Sequence, residues 1–260
     1  MVTMRCNRLA PSLALAIWLA VTACSTPEQD QNRPSDVGNP DRGNPDETHN
    51  PAGPQTASLE FLCRELQTSP PHLWSERLPA IHRAGAAAEP FLITAFEDTP
   101  AAPGGQATLA ALGRIGGKAS IQLCSQLVSE RAPLAVEAAL ALGDLPAGDG
   151  DAALLQCMQD RHSDASLRTA AACSLARHGE REHAPQFLAA IVRAGTPAGR
   201  ADEKQFGLPG KSRWARERYF VQRMLRKLGH LDLCHELDSD APWPVLEKLA
   251  PRVAKRLAGN

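Results

Sequence analysis

Cysteine and histidine are the side chains here best able to act as nucleophile, redox partner or metal ligand, so their spacing is the first test. Beyond Cys6 and Cys24 stand Cys63, Cys124, Cys157, Cys173 and Cys234, an odd number with no C-x-x-C and no C-x-x-C-H. The usual signatures of a redox pair and of c-type haem attachment are therefore missing. Cys157 and Cys173 fall on consecutive helical segments and could be bridged in an oxidising compartment. Each cysteine also sits on an apolar helical face, where it behaves as a small core hydrophobe, and that reading is preferred. The densest donor cluster is Gly229-His230-Leu231-Asp232-Leu233-Cys234-His235-Glu236, in which His230 and Cys234 share a helix face at i, i+4. A zinc site needs four donors, and only His178 and His183 stand near enough in sequence to complete one. Asp149 and Asp151, flanking Gly150, offer too few oxygens for a standard calcium loop. No G-x-S-x-G, Walker loop or carboxylate pair in an acid–base setting appears, so no catalytic residue, metal or cofactor is expected.

The strongest chemical signal is a basic run. Between Lys211 and Lys227 there are seven Lys or Arg and one acidic residue, Glu217, together with the chain's only Tyr, Tyr219. At 3.6 residues per turn, Trp214, Val221, Leu225 and Leu228 form a buried stripe, with Arg216, Arg223 and Lys227 on the opposite side. Arg213, Arg216, Arg223, Arg226 and Lys227 with Tyr219 are thus the candidate docking patch for an acidic protein segment, an anionic glycan or lipid headgroups. The alternative is a solvated basic face whose Arg stems cover apolar surface.

The elements that position these residues are helical. The chain has 260 residues, 43% hydrophobic and 22% charged, with aromatics at only 4% and a formal net charge of -1. Abundant Ala with few aromatic side chains favours helix over strand. A near-zero net charge gives no global field for nucleic acid. Helical periodicity begins at Ala57, where Leu59, Leu62, Cys63 and Leu66 share a face, and recurs to Leu257 with short breaks at Ser69-Pro70-Pro71, Thr99-Pro100, Gly116-Gly117 and Ala147-Gly148-Asp149-Gly150. The longest break, Ala194 to Lys211, reads as a polar insertion.

The N-terminus reads as an address. Arg5 and Arg8 precede an apolar stretch from Leu9 to Val21, too short to span a bilayer and consistent with a secretory signal. Val21-Thr22-Ala23-Cys24 resembles the lipobox of bacterial lipoproteins. That resemblance implies cleavage before Cys24 and acylation of Cys24, making residues 1–23 a lipoprotein signal peptide. Ser25 after the Cys fits sorting to the outer membrane, and two or more acyl chains make such an anchor stable. The alternative is an ordinary signal peptide without lipid. Residues 24–56 are rich in Pro, Gly and Asp, with Val37 the one large aliphatic residue, and are expected to remain a disordered linker. Its root-mean-square reach is about 30 Å.

The segment from 57 to 260 carries a repeat. Helices end in Ala84-Gly85, Leu112-Gly113, Leu142-Gly143, Leu175-Ala176 and Leu228-Gly229, spaced by 28, 30, 33 and 53 residues. The unit with Asp160, Asp164, Leu167-Arg168, Ala171-Ala172 and Leu175-Ala176 resembles the HEAT repeat, in particular the short Ala-rich kind named after phycobilisome lyases. Arg77 precedes Gly85 by the same eight residues that separate Arg168 from Ala176, while Gly105, Ala135 and Val221 depart from that pattern. The resemblance implies an all-α fold: an α-solenoid of about five helical hairpins with a C-terminal capping helix, Pro242-Trp243 to Leu257, whose Lys248, Arg252, Lys255 and Arg256 face water. Each hairpin would shield its neighbour's apolar side. The expected function is a lipid-anchored scaffold in the cell envelope that binds a protein partner and no nucleic acid. The alternatives are a lyase-like enzyme subunit acting through the groove and a purely structural spacer.

Overall fold

The computed structural model describes residues 52–211, 214–237 and 241–259, with side chains from Ser58 onward. Every regular element among them is helical. The α-helices are α1 (Ala52–Thr68), α2 (Trp74–Ala84), α3 (Glu89–Asp98), α4 (Gly105–Ile115), α5 (Lys118–Ser129), α6 (Ala135–Leu142) and α7 (Asp151–Gln159). They continue with α8 (Ala165–Arg177), α9 (Ala184–Arg193), α10 (Gly199–Phe206), α11 (Ala215–Lys227), α12 (Leu231–Glu236) and α13 (Trp243–Leu257). None is long and apolar enough to cross a membrane.

Contacts between elements define two rows. In one, α1 packs on α3, α3 on α5 and α5 on α7; in the other, α2 packs on α4, α4 on α6, α6 on α8 and α8 on α11. Sequence-adjacent helices cross between the rows, so each pair covers the apolar side of the next. The filling is aliphatic: Leu109 and Leu112 of α4, Leu142 of α6, Leu154 of α7, and Leu188 and Ile191 of α9 are fully buried. Each such side chain contributes about 1.5–3 kcal/mol by leaving water.

The Leu-Gly helix endings have a steric cause. A Cβ on Gly143 would lie 2.4 Å from Ser174 Oγ, and one on Gly113 would lie 3.0 Å from the Ala141 Cα. Small residues at these points let α4, α6 and α8 approach closely, and Ser174 uses the contact to donate to Ala139 O at 2.7 Å. Polar residues fix the starts of helices. Asp164 caps α8 by accepting from Ser166 N. Glu89, the first residue of α3, accepts from Gly117 N, Ser120 N and Ser120 Oγ at the start of α5. Burial alone would raise the Glu89 carboxyl, but the hydrogen bonds from Ser120 and Gly117 hold it below the usual range.

Three expectations change. Helix α1 starts at Ala52, inside the span assigned to the linker; Pro54 falls among the first residues, whose N–H groups have no intrahelical acceptor in any case. The polar insertion contains a helix, α10, which no periodic apolar stripe announces and which ends at Gly207 with φ +60°. The end helix α13 packs chiefly along α9, where the first row is interrupted, and also on α12. Its Lys248, Arg252, Lys255 and Arg256 are exposed as expected, with Arg252 paired to Glu236 and Arg256 to Asp232.

Candidate functional site

The insertion is held by the repeat's own arginine. Arg168 is 3% exposed and donates from Nε to Met158 O at 2.8 Å, from Nη2 to Phe206 O at 2.8 Å and from Nη1 to Gly207 O at 3.3 Å. Its guanidinium also lies 4.9 Å from the Phe187 ring centroid, and Phe187 meets Phe206 edge to face. Arg161 adds a bond to Gln205 O. The end of α10 is thereby fastened to α8 and α9, enclosing a cavity of about 180 Å³ bounded by Arg161, Gln186, Phe187 and Gln205. Arg218 does similar work, donating to Val192 O and Ala194 O at the end of α9.

The basic run resolves differently from the sequence expectation. The buried stripe of α11 comprises Phe220, Val221, Met224 and Leu225, with Glu217 beside it; Phe220 and Met224 displace Trp214 and Leu228 from the stripe. Trp214 is buried just before the helix, while Leu228 is only half-buried. Arg216, Arg223 and Lys227 therefore flank the apolar stripe rather than opposing it, because Phe220 and Met224 lie one helical turn from them. Arg213 lies outside the described residues. Arg226 is exposed, Tyr219 is packed against the core and Arg216 is exposed over the Phe220 ring at 5.6 Å.

What gathers these residues is a trough floored by α8. Its lining includes Leu140 and Asp144 from α6 and its turn, Cys173, Ser174 and Arg177 from α8, and Phe220, Arg223 and Lys227 from α11. The free space in it is about 20 Å³. Asp144 accepts from Lys227 Nζ and from Arg177, the latter at 2.6 Å. Asp144, in the turn after α6, and Lys227, in the last turn of α11, thus meet beside Arg177 at the end of α8.

The electrostatics follow from that geometry. Burial would raise Asp144, but the charges of Lys227 and Arg177 hold it below the ordinary carboxylate range. Burial pushes the Lys227 ammonium down to about 8, even with Asp144 beside it. Burial likewise lowers Arg223 to about 10, with Asp144 opposing the shift. Along the same face, burial raises the Glu137 carboxyl against the pull of Arg216.

Asp144 and Arg177 are absent from the sequence-derived set. A signal was present: the residues after Leu112-Gly113, Leu142-Gly143 and Leu175-Ala176 are Arg114, Asp144 and Arg177, with His230 after Leu228-Gly229. Charge thus recurs at one level of the second-row helices.

The other candidates separate. Cys63, Cys124, Cys157, Cys173 and Cys234 are buried and unbridged, so the Cys157–Cys173 bridge is not formed. Burial pushes the thiols of Cys63 and Cys124 up to about 11 and about 12, and those of Cys157 and Cys173 upward too. Among the described residues, no three His, Cys, Asp or Glu side chains gather as a metal site would require. His178 instead contacts Asp151 Oδ1 at 2.6 Å and Leu145 O at 3.1 Å, and His183 turns to Glu180. Asp151, half of the acidic loop, is committed to His178. Residues 1–51, with Cys24 and the signal peptide, lie outside the described residues.

No protein-family model, curated protein or solved structure matches this chain.

Proposed function

We propose that this protein is an envelope scaffold of HEAT-like solenoid architecture, anchored to lipid through Cys24, that docks an acidic segment of a protein partner along its second helical row. It works by binding, without catalysis. The two rows of paired helices support the solenoid reading, and the segment ending in Ala23-Cys24 supports the anchor. The observation that carries the binding half is the charge along this face: Arg177 and Lys227 share one carboxylate, Asp144, and Arg216 and Arg226 are exposed on α11. Convergent cations on a concave surface concentrate anionic partners and speed their encounter.

Site-specific photo-cross-linking in intact envelopes tests this. A cross-linker replacing exposed Arg216 is expected to give a discrete adduct that Arg226→Glu weakens. One replacing Glu97, exposed on first-row α3, is expected to give none. Equal adducts from both positions, or none from Arg216, would remove the docking role. Mass spectrometry of the mature N-terminus checks the anchor separately: an unacylated chain would leave a secreted binder.

A further inference from the structure

We propose that the cavity beside α10 is a binding site for a small organic carboxylate, its acid group taken by Arg168 and Arg161 and its apolar body by Met158, Phe187 and Phe206. The cavity shares no lining residue with the trough, so this site stands apart from the docking reading.

The first observation is a buried arginine whose donors are not all matched. A guanidinium carries five N–H groups. Arg168 directs three of them at Met158 O, Phe206 O and Gly207 O, and the other two have no acceptor among the described residues. The side chain is 3% exposed, so bulk water does not serve them. Nor does a carboxylate pair with it: Asp160, whose charge it feels, bonds to Arg131 instead. Unmatched donors on a buried charged group are costly, and a carboxylate is the acceptor that suits a guanidinium best.

The second observation is charge. Arg161 and Arg168 both line the cavity, and its lining contains no Asp or Glu. The negative groups nearby are engaged or weak. Asp160 belongs to Arg131, and Glu180 accepts from the N–H groups at the start of α9 and meets His183, as does Glu182. The carbonyl end of α10 adds about half a negative charge, against two guanidinium charges.

The third observation is preformed shape. Met158 and Phe187 are buried, Phe206 is half-buried, and the two rings meet edge to face at 5.7 Å. Exposed Gln159, Gln186 and Gln205 surround the mouth with amides. Apolar walls with a few convergent polar groups are the make-up of small-molecule sites. The space of about 180 Å³ equals the liquid share of about six water molecules, enough for a single ring bearing an acid group. Arg161 is held at the rim: it donates to Gln205 O at 2.9 Å, and its stem lies where a Cβ on Gly207 would come within 2.9 Å of its Cδ. Both arginines are thus ordered before a ligand arrives, which lowers the cost of binding.

The test titrates the full-length protein with 4-fluorobenzoate, followed by fluorine NMR at pH 7, with 4-fluorobenzamide as an uncharged analogue of the same shape. The acid is expected to bind with a dissociation constant of about 1 mM or tighter, the range open to a ligand of about ten non-hydrogen atoms. The amide should bind at least about tenfold more weakly, because the charge-assisted bonds are lost. Arg161→Gln, at an exposed position, should weaken the acid about fivefold or more and leave the amide unchanged. Gln186→Trp, also exposed, fills the mouth and should abolish binding of both. Arg200→Gln removes an exposed charge from α10 outside the cavity lining and should change neither by more than about twofold. Equal binding of acid and amide overturns the proposal and leaves an apolar pocket with no role for its arginines. Acid binding that survives both Arg161→Gln and Gln186→Trp puts the probe elsewhere and overturns it too, as does failure of the parent to bind the acid at all. None of these results touches the docking reading, because no residue of the trough is altered.

Discussion

Arg168 and the Asp144 cluster are two cationic environments in adjacent hairpins, one buried and one partly exposed, and they are built on opposite terms. Arg168 spends its charge on neutral carbonyls of Met158, Phe206 and Gly207 and on the face of Phe187. Three of its donors are met by backbone, and the result is mortar between α8 and the insertion. In the trough, two cations, Arg177 and Lys227, share one carboxylate contributed from the turn after a different helix. Counting acceptors separates the two cases where residue type does not. Arg168 has three carbonyls to itself, whereas Arg177 and Lys227 divide one short acid between them.

The comparison is sharpest when Arg168 is removed. Arg168→Ala leaves three carbonyls without their donor and is expected to destabilise the fold by about 3–5 kcal/mol. Urea unfolding measures that loss, and the affinity of the folded fraction for a fluorescein-labelled decaglutamate peptide, a probe of the docking reading, should change by less than about twofold. A large affinity loss would mean that the two environments are coupled. Next in size is Glu89→Ala, which strips the cap from α5 and should cost about 1–2 kcal/mol. Because the folded-state carboxyl of Glu89 is depressed, its contribution is present above the unfolded value and lost as pH falls through the folded one. An acid titration of the melting temperature should therefore flatten in the variant.

Acidity then probes the trough. Lys227, facing Asp144, Arg177 and Arg223, titrates near 8, so peptide affinity should fall about fivefold between pH 7 and pH 9 as the amine loses its charge. Lys227→Arg should abolish that dependence. For stability the sign is reversed. The unfolded chain holds the Lys227 proton up to the ordinary lysine value while the folded state releases it near 8, so this group's contribution rises with pH across that window. The smallest expected effect is Lys227→Met on stability at pH 7. Replacing a half-buried amine by an apolar chain of similar length should shift unfolding by less than about 1 kcal/mol while weakening the peptide several-fold.

The helices were legible because their apolar spacing and their breakers agree: the breaks at Ser69-Pro70-Pro71, Thr99-Pro100, Gly116-Gly117 and Ala147-Gly148-Asp149-Gly150 all fall between α-helices. Helix α10 was not legible, since Arg200, Asp202, Glu203 and Lys204 give it no apolar face; Arg168 and Arg161 hold it from outside. The candidate site was half legible. The basic run of α11 stands out in one dimension, but its partners Asp144 and Arg177 arrive from two earlier hairpins. Only the recurring charge after Leu112-Gly113, Leu142-Gly143 and Leu175-Ala176 announces them. The buried stripe of α11 differs for a simpler reason: Trp214 and Leu228 stand at either end of the run, outside the helix, and Phe220 and Met224 take their places inside it.

The sealed cysteines carry a consequence of their own. Cys63, Cys124, Cys157, Cys173 and Cys234 are spread from α1 to α12, nearly one to a hairpin, and none is bridged. Locked inside, they meet an alkylating reagent only when their own layer breathes. The chain therefore holds a set of native reporters, by which the loosening of each layer could be timed without adding a single foreign label.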